Sequence, residues 1–168
     1  MHILLIRHAD PDYENDALTP AGVQQAEGLA AYLRDVPLTH VYCGPLGRAM
    51  ETMKHVLRGR ALTPVLLPWL QELNGEMGIG HAAWTVRAAE LEADAGLAGR
   101  VREFMAAQVA GALHGWDALM AEHGYDRAGR TYRCRGRHPD RPIIAAFSHA
   151  GLLLTLLGGL FNWPLADF

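Results

Sequence analysis

Two short segments of this 168-residue chain deliver a histidine where an apolar run stops. Ile3-Leu4-Leu5-Ile6 ends at Arg7-His8, and Pro142–Phe147 (PIIAAF) ends at Ser148-His149-Ala150-Gly151. Apolar runs without polar alternation suit strands buried on both faces, as in a parallel sheet covered by helices. Ligand sites in open α/β sheets lie at the carboxyl ends of strands, so both histidines stand at a candidate reaction edge. Two more residues belong with them. Arg48 falls in the first helical turn after the strand candidate His40–Cys43, and Glu72 follows the apolar run Thr63–Pro68. Two guanidiniums, two imidazoles and a helix N-terminus together make a pocket for a tetrahedral dianion, because arginine forks match phosphate oxygens bidentately. The same cations disfavour protonation of His8 and keep it nucleophilic. Glu72 is a carboxyl able to give a proton to a departing alkoxide; Glu76, four residues on, is a second candidate for that role.

The elements that must position these groups follow from spacing. Ala9–Leu18 reads as a polar connection, and Thr19-Pro20 as a helix start, with Thr as cap and Pro at the first helical position. Val23, Ala26, Leu29, Ala30 and Leu33 recur at helical spacing and should pack on the sheet. Gly44-Pro45 turns His40–Cys43 into a helix over Leu46–Leu57, with Gly59 as its stop. This strand–helix alternation predicts a three-layer α/β/α fold with a mostly parallel sheet.

Asn74–Arg141 breaks the alternation. It carries a glycine-rich link (Gly75, Gly78, Gly80), a helix around Trp84–Ala95, a longer one over Leu97–Glu122 that Gly111 and Gly115 could bend or split, and a basic, loop-like stretch from Gly124. The segment predicts a helical cap insertion at about 74–141 within a single domain spanning 1–168. After the last strand, Ser148 is positioned to cap a helix over Leu152–Phe161, which puts His149 at an N-terminus whose free N–H groups and dipole favour an anion.

Half the residues are hydrophobic and 20% are charged, an ordinary soluble composition. A formal net charge of −3 gives no global attraction to nucleic acid or to an anionic membrane. Cys43 and Cys134 form no CxxC and read as free thiols in a reducing compartment. His114, His123, Cys134 and His138 match no closed zinc spacing, so no metal site is expected. No basic segment leads into a long apolar one at the N-terminus, and the longest apolar stretch, Ala150–Phe161, is too short to span a bilayer. The sequence predicts a cytoplasmic protein.

Five motifs, in order, resemble the histidine phosphatase (phosphoglycerate mutase-like) superfamily. They are Leu5-Ile6-Arg7-His8-Ala9; Leu18-Thr19-Pro20-Ala21-Gly22 with Gln25-Ala26; Gly44-Pro45-Leu46-Gly47-Arg48-Ala49 with Glu51-Thr52; Leu70-Gln71-Glu72; and Ser148-His149-Ala150-Gly151. The resemblance implies a metal- and cofactor-independent, two-step phosphoryl transfer on a small-molecule phosphomonoester. His8 would be the nucleophile, and Arg7, Arg48 and His149 would hold the equatorial oxygens. Glu72 would protonate the leaving group and then activate water. Ala9 and Ala150 stand where the family usually has Gly, and Gly44 where Ser is common. The short Asp10–Leu18 connection lacks the Arg-x-x-Gly loop of the mutase branch, which favours a phosphatase over a mutase-type phosphotransferase. Two other readings keep the same residues: a phosphatase acting on phosphohistidine in a partner protein, and a phosphate-binding module whose catalysis has decayed.

Overall fold

A computed structural model describes residues 1–73, 93–136 and 141–161. Glu76, the glycine-rich link, His138 and nearly all of the Trp84–Ala95 helix lie outside the described residues. Two compact units divide the chain: Met1–Glu72 with Gly136–Leu153, and Leu73–Arg135 with Leu154–Phe168. The segment expected as an insertion falls largely in the second.

The first unit is built on four parallel strands in the order β1 (His2–Arg7), β8 (Ile143–Ser148), β4 (His40–Cys43), β5 (Val65–Leu66). The apolar run of β8 belongs to a central strand, and Ile144 through Ser148 are fully buried. β1 is only half-buried, contrary to the expectation of a strand covered on both faces; it stands at the edge of the sheet among the described residues. The Thr63–Pro68 run also falls short. Two residues pair, Val65 and Leu66, both about half exposed, before the chain tightens into a 3₁₀ turn at Pro68–Leu70.

Helices α1 (Pro20–Tyr32) and α2 (Gly47–Leu57) start where the sequence places them. Thr19 caps α1, its hydroxyl accepting from Gly22 N–H at 3.0 Å, with Pro20 at the first position. Leu29 and Leu33 from the end of α1 join Ala49, Met53 and Val56 of α2 against Leu4, Ile6, Val41, Cys43, Ala145 and Phe147 on one face of the sheet. Full burial of a side chain the size of Met53 or Phe147 stabilises by about 1.5–3 kcal/mol. Tyr42, Ile144 and Ala146, which alternate with these along the strands, are buried as well. The central strands β8 and β4 are therefore covered on both faces, as a three-layer α/β/α arrangement requires. Cys43 is a free thiol that burial pushes up to about 12, and Cys134 is free and exposed.

Two expected loops carry strands instead. Ala9–Leu18 contains the small hairpin β2 (Pro11–Asp12) and β3 (Ala17–Leu18). In the second unit, the basic stretch after Gly124 forms β6 (Tyr125–Ala128) and β7 (Thr131–Cys134), turned at Gly129 with φ +65°. That hairpin is tied to helix α3 (Ala95–Glu122) by Asp117, which accepts from Arg127 Nε at 2.6 Å and from the Tyr132 hydroxyl. Gly111 and Gly115 stay inside one continuous α3, which Asp94 caps at its start. Among the described residues no helix is long and apolar enough to cross a membrane.

Helix α4 (Ala150–Phe161) begins directly after His149, whose carbonyl accepts from Leu153 N–H at 3.0 Å. Ser148 is not its cap. That residue ends β8, and its hydroxyl donates to the Leu70 carbonyl at 2.7 Å, tying the 3₁₀ turn to the sheet. Gly44 permits the same crossing, because a Cβ there would sit against the Leu70 carbonyl oxygen, well inside van der Waals contact. Gly44→Ala should therefore destabilise the protein by about 1–3 kcal/mol through overpacking against backbone. Urea unfolding reads this as a lower midpoint at unchanged slope; an unaltered midpoint would show that the 3₁₀ turn moves aside freely.

Candidate active site

Register aligns the strand ends that carry the polar groups. Arg7 pairs with Ser148 and Cys43 with Phe147 across the parallel ladder, and His8 N–H continues it by donating to the Ser148 carbonyl at 2.9 Å. His8, Gly44 and His149 therefore leave the sheet at one edge. The two imidazoles lie with ring centroids 5.0 Å apart, tilted by 53°.

His8 is buried. Its Nδ1 is 2.8 Å from the Ala9 carbonyl oxygen, which can only accept, so Nδ1 carries the proton. The lone pair of the neutral ring is then on Nε2. Burial lowers the pKa of His8; the Ala9 bond opposes this, Arg48 and Arg7 lower it further, and Glu72 raises it. His149 is fully buried, and neither ring nitrogen has a hydrogen-bond partner among the described residues. Burial first, then Arg48 and His8, push it down to about 3, against a small opposing pull from Asp16. Both rings are uncharged at neutral pH, and His149 has an N–H that no described residue receives.

Arg48 enters from the first turn of α2 and is 8% exposed, with its Nε unpartnered among the described residues. Arg7 is exposed at the end of β1 and lies close enough to act on both imidazoles electrostatically. Glu72 follows the 3₁₀ turn. Its Oε1 accepts from Leu152 N–H at 3.2 Å, in the first turn of α4, and its charge is felt at His8. The five residues singled out by spacing thus lie around one edge, within the first unit.

Three further residues support the site without having been expected in it, although Thr52 and Ser148 stand within the sequence motifs. Thr52 is buried on α2; its hydroxyl donates to the Arg48 carbonyl at 2.8 Å and accepts from Ala9 N–H at 3.0 Å, joining the two loops. Ser148 ties down the segment that leads to Glu72. Asp16 pairs with Arg48 at 2.5 Å from 32 positions away. Burial raises the Asp16 pKa, but bonds from Gly47 N–H and Arg48 outweigh this and hold the carboxyl below its ordinary range. Other motif positions fasten loops: Gln25 accepts from Asp10 N–H at 2.8 Å, and Glu51 from Leu18 N–H at 2.7 Å. Among the described residues no group of three or more His, Cys, Asp or Glu could hold a metal ion. The site can therefore offer an in-line nitrogen nucleophile, uncharged and cationic donors for oxyanions, and a carboxyl for proton transfer.

Comparison with known proteins agrees with this architecture. Residues 3–168 match the histidine phosphatase superfamily, branch 1, and the chain belongs to that family. It is 35% identical over 82 residues to the adenosylcobalamin/alpha-ribazole phosphatase of Salmonella typhimurium, a match covering 44% of this chain and 41% of that protein. It is 31% identical over 88 residues to the protein named probable phosphoglycerate mutase GpmB of Yersinia pestis, covering 47% and 40%. The matched region thus spans about two fifths of the length of these curated relatives. The fold resembles the alpha-ribazole phosphatase of Shigella flexneri, with TM-score 0.64, 23% identity, and 99% and 83% of the two chains covered. It also resembles the phosphoserine phosphatase of Entamoeba histolytica, with TM-score 0.64, 17% identity, and 95% and 79% covered.

The buried, neutral His149 carries a stability signature. Its folded pKa of about 3 lies below the 6.5 of an ordinary histidine, so between those values the unfolded chain binds a proton that the folded chain refuses. Stability must then rise with pH through this window and fall as pH drops below 6.5. His8, also lowered, contributes with the same sign. His149→Gln should flatten the dependence of the urea midpoint on pH below 6.5 relative to the unsubstituted protein. Identical slopes would show that His149 does not resist protonation.

Proposed function

We propose that the chain hydrolyses phosphate monoesters of small molecules by passing the phosphoryl group through His8. The observation that carries this reading is the state of His8: Nδ1 held by the Ala9 carbonyl and Nε2 bearing the lone pair, beside the Arg48 guanidinium and a His149 ring with no hydrogen-bond partner among the described residues. In the first step Nε2 attacks phosphorus in line, and the P–N bond forms as the bond to the ester oxygen breaks. That oxygen takes the proton of the Glu72 carboxyl. Arg7, Arg48 and the N–H of His149 stabilise charge spread over the three equatorial oxygens. In the second step water attacks the phosphohistidine, Glu72 takes its proton, and orthophosphate departs from the restored imidazole.

A phosphatase is preferred to a mutase-type phosphotransferase because the short Asp10–Leu18 connection, folded into a hairpin of two-residue strands, lacks an Arg-x-x-Gly loop. The similarity to a phosphatase and to a probable mutase at comparable identity keeps transfer to a second hydroxyl as the alternative. Labelled substrate separates the two, since label goes to orthophosphate in one case and to a new ester in the other.

Turnover of a panel of phosphomonoesters is the direct test. His8→Ala should abolish it together with an acid-labile, base-stable protein-bound label; label persisting in that variant would remove His8 as nucleophile. Glu72→Gln should slow single-turnover cleavage of alkyl phosphates by about 10²–10⁴-fold, the usual worth of general acid catalysis. Aryl phosphates with acidic phenols need less help and should lose much less in the same step. Equal losses on both substrate types would disqualify Glu72 as the acid and move the comparison to Glu76.

A further inference from the structure

The small hairpin β2–β3 grips Arg48 from two directions. Asp16 Oδ1 accepts from Arg48 Nη1 at 2.5 Å, while Oδ2 accepts from the Gly47 backbone N–H at 2.5 Å. Tyr13, from the same hairpin, lays its ring against the guanidinium, with Cζ 5.3 Å from the ring centroid. Asp16 adopts φ +47° to make these contacts, a region uncommon for a residue with a Cβ. Gly47 accommodates it closely, since a Cβ at that position would overlap the Asp16 carbonyl oxygen. Leu46, the N-cap of α2, makes no side-chain cap bond, so the Asp16 carboxylate also closes the open end of that helix. Arg48 is nevertheless buried with its Nε unpartnered among the described residues. A guanidinium is a rigid planar fork, so fixing Nη1 and one face fixes where the Nε edge points.

We propose that Asp16 is a positioning residue that acts through Arg48, holding its guanidinium so that the Nε edge meets the equatorial oxygens of the phosphoryl group in transit. The kinetic part of this assignment rests on the reaction proposed above. A carboxylate beside a guanidinium that must take a dianion has two opposed effects. It repels the phosphate dianion of the ground state, and it orients Arg48 for the transition state. Only the second accelerates the chemical step, because catalysis depends on what binds more strongly in the transition state than before it. Ground-state and transition-state binding can be read separately, with orthophosphate reporting the first and trigonal-bipyramidal vanadate the second.

The experiment compares the unsubstituted 168-residue chain with Asp16→Asn, Arg48→Ala and the double variant, measuring kcat and KM on an aryl phosphate and calorimetric binding of orthophosphate and vanadate. Asp16→Asn should lower kcat by about 10–100-fold, the scale of an ångström-level misplacement of a binding group. It should weaken vanadate to a similar degree and leave orthophosphate bound at least as tightly as before. In the Arg48→Ala background, Asp16→Asn should have no further effect. The assignment is overturned by an unchanged kcat in Asp16→Asn. It is equally overturned by a loss that persists in full without Arg48, or by parallel weakening of both anions with a lowered melting temperature, which would mark a merely structural role. If the unsubstituted protein turns over no phosphomonoester, the proposed reaction fails. The anion titrations need no turnover and still decide what Asp16 does for Arg48.

Discussion

His149 is fully buried, and no described residue offers a hydrogen bond to either of its ring nitrogens. A buried polar group left without a partner destabilises a fold by about 1–3 kcal/mol, and most folds avoid it. Here the surroundings compound the difficulty, since burial first, and then the Arg48 guanidinium, keep the ring from gaining a proton that would attract compensating groups. The imidazole is held in place by its backbone. It leaves the central strand β8 and its carbonyl receives the first turn of α4, so its position is fixed at both ends. On the proposed reaction, a side chain kept so firmly and so poorly satisfied is arranged for the phosphoryl oxygens, which need N–H donors.

The same edge depends on register. In a parallel sheet the strands end together only if the ladder is in step, and a slip of one residue would send every side chain to the opposite face. The pairing of Arg7 with Ser148 and of Cys43 with Phe147 sets the depth at which His8, Gly44 and His149 emerge. Ser148 then reaches sideways to the Leu70 carbonyl, carrying the chain toward Glu72. The absence of a side chain at Gly44 is part of that route, because the Leu70 carbonyl occupies the space a Cβ would need. Packing and chemistry are therefore coupled: the contacts that close the edge of the core also set the carboxyl's place.

Much of this was legible in the residues themselves. The run Ile143–Phe147 and the segment His40–Cys43 form strands because continuous apolar sequence between turn signals leaves a buried strand as the best outcome. Thr19-Pro20 starts α1 because cap and pre-set φ act locally. What escaped depends on partners distant in sequence. Asp16 has an ordinary loop context, and nothing nearby announces that it meets Arg48 at a positive φ. The hairpin at Tyr125–Cys134 reads as a polar loop until Asp117 of α3 gathers Arg127 and Tyr132. Ser148 has the chemistry of a cap, but the strand runs one residue further and spends its hydroxyl on Leu70. The Thr63–Pro68 run is apolar enough for a core strand, yet it pairs with β4 through only two residues and leaves both half exposed.

On the proposed reaction, the balance of charge around the edge has a catalytic logic. A pocket of four full cations would bind a phosphate dianion tightly before any bond is broken, and binding shared equally by ground and transition states does nothing for the chemical step. Here both imidazoles are neutral, His8 offering a lone pair and His149 an N–H, and one of the two guanidiniums is already paired with a carboxylate. The static field on a resting dianion is thereby moderated. What remains is directional: N–H groups and a guanidinium edge at fixed angles, whose worth grows as the phosphoryl group flattens and its charge spreads over the equatorial oxygens. Moderated charge also limits how strongly orthophosphate, itself a dianion, is retained after hydrolysis. The buried neutrality of His149 and the Asp16–Arg48 pair thus answer one requirement, that the site hold the group in transit more strongly than the ester it starts from or the phosphate it releases.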